Sequence, residues 1–533
     1  MTRGQGRALW GELWRCGFCV PLECKSNYVK KKMAIKSNVQ KFVLLPPRGV
    51  QTGEASNPET TSFLKSLHTL AAATAGTPSG KTPKPKLKVR VLDSVHENGA
   101  KLVELSPQEA VDLRAEQPGV RIVPVVYYYP ALAPRPTIVS RPKVAAMAAR
   151  GVKIVLRVVS KKDGTAIANA EVVAFTDFAK RAGAGGTTNS KGEVSLNLGA
   201  SSRKIERLYI FSQKGFWNGL RRNITITSGM EFPLIPIDPA FTDCLRFFYG
   251  NSPDDAGQGV KVGVIDTGIS AEPDLRIDGG FNAVTGEDPN DFGDNGEGHG
   301  THVAGIIAAQ GRPPTGIRGL APGVTLRSYR VFGKGEEGAS NFDILKALDR
   351  AVQDGCDLVN MSLGGGDLDA ATREAISHAR ANGTLIFAAA GNDNRSSVSA
   401  PASDPLAIAV SALGRKGTVP PNSVEAGDVQ SPFGTDKKNY IASFSNIGPE
   451  IDLTGPGDGI ISTFPGGFAV LDGTSMACPA VTGAAAKLLG ARPDILNMSH
   501  DQGRSDEMAK AVFQKAKVLG FGPKFEGQGQ VKI

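Results

Sequence analysis

The spacing of apolar positions predicts a small α+β unit near the start of the chain. Strand-like runs occur at KFVLLPPRG, LKVRVLDSV, GAKLVELS and VRIVPVVYYY. Two stretches with helical spacing, TSFLKSLHTLAAA and SPQEAVDLRAE, stand between them. The second stretch begins with a capping pattern made by Ser106, Pro107 and Glu109. The predicted order β-α-β-β-α-β is that of a split βαβ unit, and it covers residues 38–130.

The next two segments predict a linker and then a second, all-β unit. Residues 131–150 begin ALAPRPTIVSRPK, a proline-rich composition typical of an exposed linker. Within residues 151–237, short runs of period 2 alternate with turn signals such as KKDGTAI and TTNSKGE. The predicted strands are VKIVLRVVS, AEVVAF, GEVSLNL, RLYIFSQ and RRNITITS. This pattern predicts a small β-sandwich of the immunoglobulin or transthyretin-like type.

Residues 238–533 predict a larger α/β domain. Nearly continuous apolar runs, KVGVID, TLRSYRVF, LVNMSLGG and TLIFAAAGN, alternate with helical patterns such as NFDILKALDRAVQDG and AATREAISHARANG. Strands that are apolar along their whole length are typical of a parallel sheet covered by helices on both faces. The chain as a whole is therefore predicted to be a multidomain protein whose last domain has a doubly wound parallel sheet.

Composition and charge narrow the functional classes. A chain of 533 residues with 41% hydrophobic and 21% charged residues is typical of several globular domains. The net charge is +9, but residues 1–37 carry eight Lys or Arg against two Glu, so the remainder is close to balanced. We expect a basic, disordered N-terminal segment and no nucleic-acid partner. No run approaches the ~18 apolar residues of a membrane span.

Neither the N-terminus nor the cysteines predict a secretory framework. Arg7, Glu12 and Arg15 interrupt the first apolar stretch, so no convincing signal peptide is recognised, and Met33 is an alternative start. Six cysteines in so long a chain do not predict a disulfide network. Cys16, Cys19 and Cys24 have no fourth residue nearby with which to bind a metal. Cys244, Cys356 and Cys478 stand among apolar or small residues, as buried free thiols do.

Four short motifs at predicted strand ends or helix starts carry the chemistry. VGVIDTGI contains Asp266, HGTHVAGIIA contains His299, AAAGND contains Asn392, and GTSMACPAV contains Ser475. Together they resemble the subtilisin-like serine proteases in residues, order and approximate spacing, and the resemblance covers 261–531. The stretch SFSNIGPEIDLTGPGDGIIST resembles the proteinase K branch of that family most closely.

The resemblance implies a division of roles that the residue types suit. Ser475 would be the nucleophile, and it needs a base because a serine hydroxyl reacts poorly while protonated. His299 would be that base, and Asp266 would orient and stabilise the imidazole. The Asn392 amide and the Ser475 N–H would stabilise the oxyanion. Taken alone, an Asn after Gly is an ordinary turn residue, and Asp266 could be a strand-end carboxylate that only binds a turn.

The resemblance also implies where a substrate would lie. Ser362, Leu363 and Gly364 would pair with it as an added strand, and Gly338 would stand at the opposite edge. Main-chain recognition of this kind predicts a broad endopeptidase for protein or peptide substrates. His302, three residues after the predicted base, could be read as a metal ligand beside it. The HExxH pattern of zinc proteases is absent, however, so a packed structural histidine is the better interpretation.

No cofactor is required for the chemistry that the resemblance implies, but structural calcium is common in the family. Asp274 and Asp452 match two familiar ligand positions. The loop QGRPPTGIRG lacks the asparagines of the usual strong site. We therefore expect at most a weak or partial calcium site.

The first two domains also resemble known modules. Residues 38–130 resemble the prodomain of subtilisin-like proteases, which assists folding and inhibits the active site; a binding module unrelated to inhibition is the alternative. The β-sandwich resembles the regulatory domain attached to some carboxypeptidases. Its position between prodomain and protease is unusual, so we expect processing between about Tyr129 and Arg141, which leaves the sandwich on the mature enzyme.

The predicted function is a self-processing zymogen of a serine endopeptidase with its own prodomain as intramolecular inhibitor. One alternative is a non-catalytic binding protein that retains the protease fold. Another is a triad protease restricted to self-processing or to a single partner. Zymogen organisation favours secretion, but the sequence leaves the compartment open.

Overall fold

The computed structural model describes residues 39–47, 50, 58–75, 89–139, 152–198 and 203–533. We call residues 39–130 the N-terminal unit. Its elements are β1 (Gln40–Leu45), α1 (Pro58–Ala75), β2 (Arg90–Ser94), β3 (Lys101–Leu105), α2 (Pro107–Glu116), β4 (Arg121–Pro124) and β5 (Tyr127–Pro130). An antiparallel sheet runs in the order β2-β3-β1-β4. The predicted capping box is confirmed, because Ser106 and Glu109 each bond the other's backbone N–H.

The prediction of one continuous final strand, VRIVPVVYYY, is wrong. The run divides into β4, which ends at Pro124, and β5, which begins at Tyr127 and leaves the sheet. Proline has no amide hydrogen to continue a ladder. The strand β5 pairs instead with two short strands of residues 238–533, which we call the C-terminal domain; they are Ala339–Ser340 and Leu363–Gly364. The chain therefore passes from one domain into the other within this run.

The sheet of the N-terminal unit is apolar on both faces. Phe42 and Leu44 pack against residues of its own helices, such as Leu64. Val43 and Leu45 point the other way and join the core of the C-terminal domain. This alternation along β1 follows from the period of 2 in a strand. The unit is thereby packed by one sheet face onto the C-terminal domain.

Residues 152–237 form what we call the two-sheet unit. Its strands are β6 (Val152–Ser160), β7 (Glu171–Asp177), β8 (Ala182–Thr187), β9 (Glu193–Leu198), β10 (Lys204–Phe211), β11 (Gly219–Thr225) and β12 (Glu231–Leu234). One sheet has the order β11-β10-β7-β8 and the other β12-β6-β9. Alternating residues such as Leu156, Val172, Leu196 and Leu208 face each other in one core. The five predicted strands are confirmed, while β8 and β12 were not predicted.

The C-terminal domain, residues 238–533, contains both helices and strands. Its helices are α3 (Cys244–Tyr249), α4 (His299–Ala308), α5 (Asn341–Gln353), α6 (Ala370–Ala381), α7 (Thr474–Gly490), α8 (Pro493–Leu496), α9 (Gln502–Gln514) and α10 (Pro523–Glu526), with a 3₁₀ turn at Glu425–Gly427. Its strands are β13 (Lys261–Asp266), β14 (Gly280–Asn282), β15 (Thr325–Arg330), β16 (Ala339–Ser340), β17 (Leu358–Met361), β18 (Leu363–Gly364), β19 (Leu385–Ala389), β20 (Ala407–Arg415), β21 (Asn439–Ile441), β22 (Leu453–Pro456), β23 (Ile460–Phe464), β24 (Gly467–Leu471), β25 (Ala516–Lys517) and β26 (Gln530–Val531).

The main sheet of this domain is largely parallel and covered on both faces, as predicted. Its order is β14-β15-β13-β17-β19-β20-β21, with β22 beside β20, and only the β20–β21 pair is antiparallel. Val264 faces the core shared with α4 and α7. Its neighbour Ile265 faces the core shared with α5 and α6. Helices α4 and α7 thus pack on one face of the sheet, and α5 and α6 pack on the other.

The two-sheet unit docks on the C-terminal domain through the segment before β11. Trp217 is only 2% exposed and packs among Ile317, Ile461 and Val470. Beside it, the Asn218 amide donates to the Glu425 carboxylate at 2.9 Å. The buried Trp217 ring and the hydrogen-bonded Asn218 amide together hold the two-sheet unit on the C-terminal domain.

Three further sequence expectations concern the cysteines, the N-terminal segment and membrane spans. Cys244, Cys356 and Cys478 are buried free thiols, as predicted. Cys16, Cys19 and Cys24, together with the basic segment 1–37, lie outside the described residues. No helix in the part of the chain that the structure describes is long and apolar enough to cross a membrane.

Candidate active site

His299 and Asp266 form a buried, hydrogen-bonded pair. Asp266 is the last residue of β13 and His299 the first of α4, so both stand at the carboxyl edge of the sheet. His299 Nδ1 lies 2.7 Å from Asp266 Oδ1, and the two residues are 3% and 0% exposed. Because a carboxylate accepts, Nδ1 carries the proton in this pair. The other nitrogen, Nε2, is then left as an acceptor.

A glycine allows the helix to begin at His299. Gly298 has φ +76°, a left-handed conformation that side chains rarely adopt. A Cβ at this position would also stand 2.5 Å from the Phe464 ring. Asp294 fixes the same turn, since its carboxylate accepts the Gly298 N–H at 3.0 Å, and burial raises the pKa of Asp294. Sequence reasoning missed this residue, because an aspartate in a glycine-rich loop carries no distinctive signal.

Ser475 lies in the first turn of α7, but its hydroxyl is not bonded to the imidazole. Ser475 Oγ donates to the Ser362 carbonyl at 2.8 Å. His299 Nε2 is buried and has no hydrogen-bond partner among the described residues. The structure thus forms the histidine–carboxylate half of the predicted relay, with the serine hydroxyl turned to a backbone carbonyl.

Asn392 follows β19 and faces the start of α7. Its Oδ1 accepts the Thr474 N–H at 2.9 Å, which leaves the Nδ2 group to point elsewhere. That Nδ2 is buried without a partner in the described part of the chain. Next to it, the Ser475 N–H donates to the Ala131 carbonyl at 3.1 Å. The Ser475 N–H thus already binds a carbonyl oxygen, while Asn392 Nδ2 has no partner among the described residues.

The carbonyl belongs to a segment of the same chain that fills a groove. Strand β5 lies between β16 and β18, pairing antiparallel with both. Its partners include the predicted substrate-binding residues, as Leu363 stands opposite Pro130 and Gly364 opposite Tyr129. The Ala131 N–H donates to the carbonyl of the residue before them, Ser362, at 3.2 Å.

Gly338, predicted to flank a substrate, stands at the other edge of β5. A Cβ on Gly338 would lie 3.2 Å from both Tyr127 Cβ and the Tyr129 ring. Its neighbours in β16 continue that edge, with Ala339 opposite Tyr128. The four residues predicted to contact substrate therefore all lie along Tyr127–Ala131.

A deep contact of β5 was not predicted. The Tyr128 side chain is fully buried, and its hydroxyl donates to Asp369 Oδ2 at 2.7 Å. Burial raises the pKa of Tyr128, so the phenol stays protonated and remains a donor. Asp369 is also the N-cap of α6. That capping pattern is its only sequence signal.

His302 serves the fold rather than a metal. It is fully buried, and its Nε2 lies 3.1 Å from the Ile460 carbonyl and 3.2 Å from the Ala469 carbonyl. Two carbonyl acceptors require a proton on Nε2. Burial lowers the pKa of His302 to about 3, so the ring is neutral.

Asp274 and Asp452 each bind backbone N–H groups. Asp274 Oδ2 accepts the Ile317 N–H at 2.7 Å, and Asp452 Oδ2 accepts the Ala409 N–H at 2.8 Å. Burial raises the pKa of Asp452 to about 6. No group of three or more His, Cys, Asp or Glu side chains suited to a metal occurs among the described residues.

Comparison with known proteins identifies the family of the C-terminal part of the chain. The family model described as "Subtilase family" matches residues 257–529. Subtilisin BL from Lederbergia lenta is 40% identical over 243 residues, which are 45% of this chain and 80% of that protein. Subtilisin Savinase from the same organism is 39% identical over 243 residues, with the same shares of 45% and 80%. Alkaline elastase YaB from Bacillus sp. (strain YaB) is 40% identical over 243 residues, 45% of this chain and 57% of that protein. The chain belongs to the subtilase family and is a subtilisin-like serine endopeptidase.

Proposed function

We propose that this chain is a zymogen that cleaves its own backbone between Ala131 and Leu132 and then acts as a general endopeptidase. One observation carries the proposal: the Ala131 carbonyl accepts the Ser475 N–H at 3.1 Å while the chain continues through the groove. A peptide bond held in this way has its carbonyl carbon beside the nucleophile and its oxygen at an amide donor.

The proposed reaction uses the three predicted catalytic residues. Ser475 Oγ attacks the Ala131 carbonyl carbon, and its proton passes to His299 Nε2. Asp266 stabilises the imidazolium through Nδ1. The carbon–nitrogen bond to Leu132 then breaks as the imidazolium returns the proton to the departing amine. Water, deprotonated by the same imidazole, hydrolyses the ester and restores the serine.

The developing charge on the carbonyl oxygen needs two donors. The Ser475 N–H already contacts this oxygen, and Asn392 Nδ2, which is buried without a partner among the described residues, is the proposed second donor. Because Asn392 Oδ1 accepts the Thr474 N–H, the side-chain amide is held without further reorganisation. Rigid donors of this kind favour the transition state over the ground state.

The hydroxyl must turn before it reacts. Ser475 Oγ now donates to the Ser362 carbonyl, which also accepts the Ala131 N–H. Rotation about the Cα–Cβ bond moves the hydroxyl between staggered positions without changing the backbone. Catalytic hydrogen bonds commonly tighten only in the reacting complex. We therefore infer that the structure is a resting state of the zymogen.

The N-terminal unit is proposed to act as the intramolecular inhibitor. Two ion pairs, Asp93–Lys346 at 2.7 Å and Arg121–Glu374 at 2.9 Å, join it to α5 and α6. His96 Nε2 also lies within hydrogen-bond distance of Asp349 Oδ2, at 2.7 Å. With the buried Tyr128 and the β5 pairing, these contacts would hold the unit in the groove after the bond is cut. The two-sheet unit would stay on the mature enzyme.

Processing is expected to produce one new N-terminus, Leu132, and one new C-terminus, Ala131. Because the reacting bond lies in the chain's own groove, the rate constant should not change across a 100-fold range of protein concentration. Intact-mass spectrometry and N-terminal sequencing of the purified zymogen, sampled over time, measure both. A new N-terminus other than Leu132, or a rate proportional to concentration, would contradict processing of this bond in cis.

The processed enzyme is expected to hydrolyse casein at many bonds. Recognition through the main chain of β16 and β18 involves few side chains, so it should accept varied sequences. Peptide mapping of the digest separates this expectation from the narrower alternative. If the processed enzyme left casein intact, a protease restricted to self-processing or to one partner would be the better conclusion.

Structural calcium receives little support from the two predicted positions. Asp274 and Asp452 each accept a backbone N–H, whose partial positive charge opposes a cation at the same oxygen. A calcium site needs six to eight oxygen ligands. These two residues do not fit such a site as they stand, and we assign them as acceptors for the backbone.

A further inference from the structure

The chain beyond the reactive bond lies between the two-sheet unit and the C-terminal domain. The Ala133 N–H donates to the Asp472 carbonyl at 2.8 Å. Residues 132–136 then line a cavity of about 480 Å³. Tyr209 and Phe211 form its wall on one side, and Asp428 and Phe444 form it on the other. The groove that holds β5 therefore continues past the reactive bond, with the two-sheet unit as part of it.

We call residues 131–139 the connector, and its side chains contact one sheet of the two-sheet unit. The Arg135 guanidinium lies 4.7 Å from the centre of the Phe211 ring and 3.4 Å from Glu171 Oε2. Ile138 packs against the apolar cluster that contains Phe175 and Phe211. A cationic and an aliphatic side chain of the connector are thus both received on the sheet that contains β7 and β10.

A backbone hydrogen bond fixes the register of these contacts. The Val139 N–H donates to the Arg181 carbonyl at 3.0 Å. At the other end, the Ala133 N–H holds the chain to Asp472. Between the two bonds, Arg135 and Ile138 are the fourth and seventh residues after the reactive bond. Their distance from the nucleophile is set by the rigid attachment of the two-sheet unit through Trp217.

We propose that the two-sheet unit carries substrate subsites for the residues that follow the cleaved bond. They would take an extended polypeptide with a basic side chain at the fourth position and an aliphatic side chain at the seventh. This inference rests on the proposed endopeptidase function. In the zymogen the connector fills these subsites; in the processed enzyme a protein substrate displaces it.

The negative charge of Glu171 is expected to determine which side chain is preferred at the fourth substrate residue after the cleaved bond. Glu171 and Arg135 have side chains that are 46% and 48% exposed, so water screens their attraction. The aromatic face of Phe211 adds a cation–π contact to the same guanidinium. Together these contacts are expected to favour Arg over Glu at that position by roughly 5-fold in kcat/KM.

The test compares internally quenched peptides with the sequence of residues 127–139. One peptide keeps Arg at the fourth position, one has Glu there, and one has Ser in place of the aliphatic residue at the seventh. The processed wild type should cleave the first with a kcat/KM roughly 5-fold above the Glu peptide. It should also cleave the first faster than the Ser peptide, which loses the apolar contact at the seventh position. In the variant Glu171→Arg, the preference between the Arg and Glu peptides should invert. Each ratio is taken within one enzyme, so the amount of active protein cancels.

A matched charge reversal supplies the control. Glu231 lies on the other sheet of the two-sheet unit and pairs with Arg157 at 2.6 Å. The variant Glu231→Arg should keep the wild-type preferences. Equal cleavage of the three peptides by the wild type, or an unchanged preference in Glu171→Arg, would overturn the subsites.

A substrate that ends at the cleaved bond separates this inference from the proposed function. Wild-type enzyme should hydrolyse Tyr-Tyr-Pro-Ala p-nitroanilide, which has no residue beyond that bond. Hydrolysis of the anilide without any peptide preference would refute the subsites and leave the endopeptidase standing. Failure to hydrolyse the anilide would overturn both.

Discussion

The variant Ser475→Ala is expected to remain a single uncut chain and to lose all measurable peptidase activity. Without the hydroxyl, no bond can form to the Ala131 carbonyl carbon, while the groove and the His299–Asp266 pair remain intact. In subtilisin itself, loss of the serine costs about 10⁶-fold in kcat. Intact mass after prolonged incubation, together with labelling by a fluorophosphonate probe, measures the loss.

The exposed serine at position 499 provides the control for that experiment. Ser499→Ala should be labelled and processed like the wild type, since its side chain lies on the surface. Ser475→Ala should still unfold cooperatively, because a hydroxyl that bonds one carbonyl contributes only about 1 kcal/mol. Labelling or self-cleavage of folded Ser475→Ala would refute Ser475 as the nucleophile. A different serine would then have to be the reactive residue.

The fold was predictable where apolar spacing is strong. Strand β6 coincides with the run VKIVLRVVS, and β13 with KVGVID, because their side chains are buried on at least one face. Strand β8 was missed because its sequence, AGAGGT, has no large apolar residue to mark a face. It exists because its backbone pairs with β7. A strand defined by its neighbour's hydrogen bonds leaves little trace in its own sequence.

The candidate site follows the same division. The motif residues could be predicted from the sequence, since each stands at a strand end or helix start whose pattern is distinctive. Their catalytic roles stay a prediction. The hydrogen bond from the Tyr128 hydroxyl to Asp369 could not be predicted, because it joins positions 241 residues apart through a strand that leaves its own sheet. Nor could the sequence indicate that Ser475 Oγ binds the Ser362 carbonyl. Side-chain rotamers depend on local packing, which a linear motif does not encode.

The variant Asn392→Leu is expected to slow both self-processing and peptide hydrolysis by about 10²–10³-fold, the cost of removing one oxyanion donor in subtilisin itself. Leucine has the same branching and number of heavy atoms as asparagine but has no Nδ2 group to stabilise the charged oxygen. Because that charge develops only in the transition state, kcat should fall while KM stays nearly constant. The first-order rate of cleavage at Ala131–Leu132 gives a second measure, since substrate binding is already intramolecular.

A neighbouring asparagine distinguishes this effect from a general loss of structure. Asn394 is exposed and has φ +54°, so glycine accepts its backbone conformation and Asn394→Gly should retain wild-type rates. Asn392→Leu also loses the acceptor for the Thr474 N–H, which should lower the melting temperature by a few degrees at most. If kcat were unchanged in a folded Asn392→Leu enzyme, the Ser475 N–H would have to stabilise the oxyanion alone. A rise in KM with constant kcat would instead place Asn392 in ground-state binding.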